Sequence, residues 1–301
     1  MNHPQSAILP DDCKSGVFIE ADLIADKAAL LQDACHKSLR AAQSFQARFP
    51  ETLIGLTIGF GSELWQSFNR PLEAKELKPF SPLGNGLAPA TQHDLMIHIQ
   101  SLRQDVTMGL AQAVVEAFEG IWQVAHETHG YRLIENRGYD GFVDGTENPK
   151  DDDRAPAAVI ADGLDDAGGS YVLFQKYRHD LKKWSHSDLK QQETCIGRTK
   201  DSDEELDDRA EDSHLHRTDL KEDEVSLKIL RRSLPYGQLT GEHGLMFVAY
   251  CSRLHNIEAQ LLSMFGETDG KIDLILTHLT TAISGAYYYA PSVERLQNLR
   301  A

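Results

Sequence analysis

The sequence is short of cysteine, and none of its cysteines are closely spaced. Cys13, Cys35, Cys195 and Cys251 form no C-x-x-C motif, so neither a zinc ribbon nor a thioredoxin-like redox site is indicated. They read as separate reduced thiols of an intracellular protein. Basic charge is also in deficit. The 30 Lys and Arg residues stand against 46 Asp and Glu, a formal net charge of -16, which argues against nucleic acid and an anionic membrane surface as partners. No apolar run approaches membrane-spanning length. The opening stretch MNHPQSAILPDDCKSG has no basic segment followed by an apolar one, and no twin-arginine pair, so a cytoplasmic location is expected.

What is present is an ordinary globular composition. With 41% hydrophobic and 25% charged residues over 301 positions, a packed core can run through most of the chain, as one large domain or two of average size. Residues 13–23 are strand-like, and 26–48 place Leu31, Cys35, Ala42 and Phe45 at helical spacing. Residues 53–61 and 94–100 alternate as strands, 103–121 repeat Val106, Leu110, Val114 and Ile121 as a helix, and 124–134 read as a closing strand. That order is β-α-β-β-α-β, the ferredoxin-like pattern. A looser copy follows. It has a strand at 171–177, a helix at 185–197 opened by a capping box from Ser185 to Asp188, strands at 225–233 and 244–250, a helix at 256–266 and a strand at 285–291. The expected fold is therefore α+β, with halves dividing at 1–140 and 141–301. The acidic run DSDEELDDRAED (201–212) reads as a solvated loop; it lacks the spaced ligands and glycine turn of a calcium site.

Three stretches carry candidate chemistry. In GYDGFVDGTENP (138–149), Asp144 precedes Gly145 in a tight turn. In VSLKILRRS (225–233), alternation puts Val225, Leu227, Ile229, Arg231 and Ser233 on one face and turns Arg232 to the other, beside Lys228. A cation on an apolar face needs a partner or a function, and a structural salt bridge at the strand end is the competing explanation. In SHLHRTDL (213–220), an extended backbone sends His214 and His216 to opposite sides, so they do not share one metal. One histidine is enough, however, to hold a haem iron. A carboxylate and a fixed cation on the other side would suit peroxide chemistry, where a proton is moved between oxygens and negative charge develops. Spacing alone does not bring these residues together.

GFVDGTENP (141–149) is similar to the G-x-x-D-G motif of dye-decolorizing peroxidases. SHLHR followed by KILRRSLPYG resembles the proximal-histidine segment and distal Arg-x-Ser strand of the bacterial B-type members. HGLMFVAYCSRLHNIEAQLLSMFG and GAYYYAPS resemble the same family's C-terminal half. The resemblance runs from QSAILP to near Ser292 and is nearest the YfeX-like group. It implies two ferredoxin-like halves packed into one barrel-like body, with one haem b in the C-terminal half. It also implies reduction of hydrogen peroxide through high-valent iron, with dye-like or other small organic molecules as electron donors.

By motif, the resemblance makes Asp144 the distal acid–base residue, Arg231 the distal cation and Ser233 its polar neighbour. His214 becomes the axial metal ligand, Phe247 a haem-pocket wall, and Asp273 a possible acceptor for the other imidazole N–H, with a surface helix carboxylate as the alternative. Gly141 and Gly145 would let the backbone approach a planar cofactor. Tyr287, Tyr288, Tyr289 and Trp184 are candidate surface relays for electrons from donors too bulky for the pocket, with simple packing as the alternative. A homo-oligomer, dimer or larger, is expected, and the tail SVERLQNLRA shows no extension for loading into a shell. A second class of function stays open: a cytoplasmic haem-binding or porphyrin-handling protein with incidental peroxidase activity. A carrier would need His214 but not Asp144 and Arg231 together.

Overall fold

The structure, a computed structural model, describes residues 2–299. The N-terminal half has β1 (Ser15–Leu23), α1 (Ala28–Arg48), β2 (Gly55–Phe60), β3 (Leu95–Ser101), α2 (Gln104–Ala117) and β4 (Trp122–Tyr131). Its antiparallel order is β4-β1-β3-β2, which is the ferredoxin-like arrangement. Apolar residues three and four apart put Leu31, Cys35 and Leu39 of α1, and Val106, Leu110 and Val114 of α2, against one face of this sheet. Side chains such as Leu31 and Leu110, with no exposed surface, each contribute roughly 1.5–3 kcal/mol by burial.

The C-terminal half repeats that order with β5 (Ser170–His179), β6 (Leu234–Gly237), β7 (His243–Cys251) and β8 (Ala286–Ala290). Here β6 pairs with β7, β7 with β5, and β5 with β8. Two narrow seams join the halves, Tyr289 to Phe60 between β8 and β2, and Gly130 to Tyr236 between β4 and β6. The pairings therefore run in a closed circuit, giving the barrel-like body expected. Its interior holds Phe18, Phe174, Val248, Tyr250 and Tyr288. Alternation then sends the other side chains of each strand outward. Met246, Val248 and Tyr250 of β7 face the interior, while Leu245, Phe247 and Ala249 join the outer cluster.

The halves differ in their first crossover. In the N-terminal half it is the long α1. In the C-terminal half, residues 180–233 carry α3 (Leu189–Ile196) and α4 (His214–Thr218) with irregular chain between. Cys195 and Ile196 of α3 pack with Phe142, Trp184 and Leu279 in a separate small cluster rather than on the sheet. The outer face of β5 and β7 is left to α5 (Leu254–Met264) and a cavity. The capping box at the start of α3 belongs to Asp188 and Gln191, not to Ser185. Ser185 donates instead to the Lys182 carbonyl and ends the preceding turn.

The segment 225–233 is not one strand. Val225 and Ser226 pair with Lys221 and Glu222, and Val225 is 67% exposed, so it leaves the apolar face assigned to it. Ladder pairing with β7 begins at Leu230 and Arg231. The described residues contain no helix long and apolar enough to cross a membrane, and all four cysteines are free and buried.

Candidate active site

The cavity outside β5 and β7 encloses about 1520 Å³ including its open mouth. Leu173 and Tyr177 of β5, Leu245 and Phe247 of β7, and Leu261 and Met264 of α5 supply apolar walls. Asp144, Arg231 and His214 all line it. A large apolar cleft with a few convergent polar groups is the usual form of a ligand site.

His214 is the first residue of α4, a helical turn rather than the extended segment expected. A two-residue step in a helix still separates side chains by more than half a turn, and His216 is exposed to solvent. Arg217 anchors α4 from the other side through the Ser263 carbonyl and Asp269. His214 Nδ1 lies 2.7 Å from Asp273 Oδ2. Asp273 is not a surface carboxylate. It has no exposed area, and its Oδ1 caps α6 (Leu274–His278) by accepting the Ile275 N–H. A carboxylate only accepts, so Nδ1 carries the imidazole proton and Nε2 keeps a lone pair for a metal. This donor set fits haem iron held from one side. His179 also lines the cavity, but its Nδ1 meets Thr280 Oγ1 rather than a carboxylate. Burial pushes that imidazole down to about 4.

The loop bearing Asp144 is fixed at several points. Phe142 packs edge-on against Trp184, whose Nε1 donates to the Asp140 carbonyl. The Asp144 N–H donates to the Asn136 carbonyl. Gly141 and Gly145 sit at φ 88 and 96, the left-handed region where a side chain is strained. At Gly141 a Cβ would also strike Lys200 Cε at 2.5 Å. Its glycine is thus required by the turn, the Lys200 contact being with the movable end of a side chain.

Asn148 staples this loop to the strand behind it. Its Oδ1 accepts the Arg231 N–H at 2.9 Å and its Nδ2 donates to the Arg231 carbonyl at 3.1 Å. Arg231 lies opposite Ala249, on the cavity side of β7. Among the described residues its guanidinium has no carboxylate partner, so the salt bridge considered from sequence is not formed. Arg232 does turn the other way, where its guanidinium bonds the carbonyls of Ile8 and Leu9 and lies 3.4 Å from Asp11. Lys228 does not accompany it. It lines the cavity and pairs with Glu147 and Asp219, because regular alternation starts only at Leu230.

Ser233 sits behind the cavity wall rather than on it. Its Oγ accepts the Val248 N–H, and it lines a smaller polar compartment shared with Asp144 and Arg231. The four aromatics expected at the surface are buried: Tyr287, Tyr288 and Tyr289 are 0–2% exposed and Trp184 4%. β8 is the seam strand with both faces covered, and Trp184 anchors the distal loop.

Several residues of the site went unnoticed in the sequence. Arg132 reaches Asp144 from the N-terminal half, Nη1 to Oδ2 at 3.1 Å. Arg198 lines the cavity and pairs with Glu147 and Asp203. Asp203 also accepts from Thr146, so the acidic run is partly a latch on the distal loop and not only a solvated loop. Asp140 is a second carboxyl on the cavity wall. Burial pushes it up to about 6, with the Asp144 charge adding to the rise and the Phe142 N–H opposing it. Only the crowding of acids in DGFVDG hinted at Asp140; nothing local marked the others.

Family profiles match almost the whole chain: Dyp-type peroxidase, N-terminal, over residues 5–132 and Dyp-type peroxidase, C-terminal, over 135–295. A dye-decolorizing peroxidase of Mycobacterium tuberculosis H37Rv is 34% identical over 297 residues, 94% of this chain and 87% of that protein. Among solved structures, a dye-decolorizing protein from V. cholerae superposes with a TM-score of 0.93 at 38% identity, covering 98% of this chain and 99% of the other. A DypB variant of Rhodococcus jostii RHA1 in complex with heme gives a TM-score of 0.92 at 32% identity, with 99% of each chain covered. The chain belongs to the Dyp-type peroxidase family, an enzyme family whose cofactor is haem.

Proposed function

We propose that this protein is a B-type, YfeX-like member of the family, binding one haem b per chain, reducing hydrogen peroxide and drawing electrons from small organic or dye-like donors. One observation carries the reading. His214, with Nδ1 committed to buried Asp273, lines the same cavity as Asp144 and an Arg231 without a carboxylate partner. A haem carrier would need the first residue and not the other two.

His214 Nε2 would hold the iron, Phe247, Leu245 and Leu261 would pack the porphyrin, and Arg198 and Lys228 would offer cations to its propionates. Bound there, haem would supply the electrons for cleaving the peroxide O–O bond. Asp144 takes the proton from one peroxide oxygen at Oδ1 and returns it to the departing oxygen, which leaves as water. Arg231 offsets the negative charge that develops on that oxygen. Asp273 holds the proton of His214 on Nδ1 and makes the ring a stronger donor to iron. The apolar walls limit water at the reacting oxygens and strengthen these interactions.

The division into halves at 1–140 and 141–301, the cytoplasmic location and assembly as a dimer or larger belong to the same reading. The free, buried cysteines support an intracellular setting. Stopped-flow mixing with peroxide tests the catalytic assignment. Asp144→Asn, with haem content unchanged, slows the first spectral change by about two to four powers of ten, the span for a positioned acid–base group. If Asp144→Asn reacts at the wild-type rate while Arg231→Leu stalls, Asp144 is not the proton acceptor and the arginine acts alone.

A further inference from the structure

Behind the distal loop lies the smaller polar compartment, about 700 Å³ including its mouth. It shares Asp144, Gly145 and Arg231 with the main cavity. Arg132 stands in its wall, one residue beyond β4, with its N–H fixed to the Lys14 carbonyl. Its side chain is 15% exposed and that of Asp144 21%, and Nη1 bonds Oδ2 at 3.1 Å. Nε is buried and has no partner. Asp144 Oδ1 accepts no protein donor among the described residues.

Two other arginines of this chain, Arg217 and Arg137, are bonded quite differently. Arg217 gives its guanidinium to the Ser263 carbonyl, Thr268 and both Asp269 oxygens. Arg137 bonds the carbonyls of Gly141, Lys200 and Asp201. Such arginines hold chain segments together. Leaving a buried N–H unmade costs roughly 1–3 kcal/mol, and Arg154 carries the same cost at its own Nε while its terminal nitrogen pairs with Asp11. Arg132 likewise leaves Nε without a partner, and its side-chain bond goes to Asp144.

We propose that Arg132 is a positioning residue for peroxide reduction: it grips Oδ2 of Asp144 and leaves Oδ1 presented to the cavity as the oxygen that accepts the proton. The proposal rests on the reading of Asp144 as proton acceptor. The other charged groups around Asp144 do not replace Arg132. On the loop itself Asp140 is acidic and Lys150 is exposed. From the strand, Arg232 is committed to Ile8, Leu9 and Asp11, and Arg231 makes no ion pair with Asp144. From the N-terminal segment come Asp11, Asp12 and Cys13, whose thiol burial pushes up to about 11 and so keeps neutral. Arg132 is the cation in direct contact, and it belongs to the N-terminal half while Asp144 belongs to the C-terminal half. The proton acceptor is thus set by a contact between halves.

Cyanide binding to the haem-loaded protein tests this without turnover. Hydrogen cyanide must give its proton to a base in the pocket to bind as the anion, and binding is read from the Soret shift. Wild type, Arg132→Met, Arg132→Lys and Asp144→Asn are compared from pH 4.5 to 8. Arg132→Met should keep the wild-type haem content and Soret position. It should bind cyanide roughly tenfold more slowly, because a carboxylate released from Nη1 no longer holds Oδ1 in one place to take the proton. The kcat for peroxide consumption should fall in the same variant while KM for the electron donor stays within about twofold, as expected when reacting groups lose alignment, and Arg132→Lys should restore both the cyanide rate and kcat. A methionine variant that binds cyanide at the wild-type rate, while Asp144→Asn is slow, overturns the role of Arg132 alone. Haem loss in both Arg132 variants makes the residue structural and also overturns it. Wild-type cyanide binding by Asp144→Asn overturns the reading of Asp144 and the proposal with it.

Discussion

At the scale of single residues, the site depends on which atom of each side chain is left free. His214 and His216 are the same residue type two positions apart, yet only His214 has its Nδ1 held by a buried carboxylate. His216 points to solvent. His214→Ala should therefore lose or weaken haem binding, while His216→Ala keeps a near-normal Soret band. The reverse result, read from spectra of the purified variants, would place the iron ligand elsewhere, with His179 next to be tested because it lines the same cavity. The two arginines divide in a similar way. Arg231 lies opposite Ala249 on the cavity side, whereas Arg232 is 5% exposed and ties the N-terminal segment to the strand. The pleat alone separates them, and it was readable from the sequence.

At the scale of elements, the spacing between Asp144 and Arg231 is set by Asn148. The asparagine spans the distal loop and the strand with a reciprocal pair of bonds to the Arg231 backbone. Asn148→Ala removes both bonds and changes no residue lining the main cavity. The expected outcome is unchanged haem content with peroxide reduction slowed about tenfold, the order expected when reacting groups drift out of alignment. Rapid-mixing kinetics at several peroxide concentrations check this. A variant with the wild-type second-order rate would mean that the loop holds its shape through Phe142 and the Asp144 N–H alone. Nothing in TENP advertised this role, because the partner of Asn148 lies 83 positions away. The turn in the GxxDG stretch, by contrast, was legible, because its glycines take the left-handed backbone; the resemblance supplied the role proposed for Asp144.

At the scale of the whole molecule, the closed circuit of strands buries ionisable groups between the halves. Glu20 of β1 accepts the Tyr288 hydroxyl of β8 at 2.7 Å. Burial raises its carboxyl from 4.5 to about 7, against the opposing pull of that hydrogen bond. A raised acid binds its proton more tightly folded than unfolded, so stability falls as pH rises from 4.5 towards 7 and the loss is complete above that. Glu20→Gln keeps an acceptor for Tyr288 and removes the titration. Its advantage in thermal unfolding should grow between pH 5 and 8, towards an upper limit on the order of 3 kcal/mol. Parallel curves for the two proteins across that range would show that Glu20 does not titrate there. His98 pulls the other way. Burial lowers it from 6.5 to about 3, so its contribution to stability rises with pH across that lower window.

The sequence by itself determined the elements, because periodicity is local. α1, α2 and α5 and most strands follow from apolar residues at spacings of three to four or of two, and their bounds moved by only a few residues. It also determined that Arg231 and Arg232 face apart, since alternation is a property of the strand backbone. Tertiary structure decided what no window of sequence contains. The run 225–233 stopped being a strand at its start because β7 offers partners only from Leu230 onward. Ser233 withdrew from the cavity because its hydroxyl replaces a missing ladder acceptor for Val248. Tyr287 to Tyr289 are buried because β8 closes the circuit and both its faces are covered, a fact of topology rather than composition. Asp273 and Arg132 reach His214 and Asp144 across 59 and 12 positions. Side-chain charge and chemistry were visible in each of these residues. Their distances were not, because distance between remote residues is created only when the strands pair.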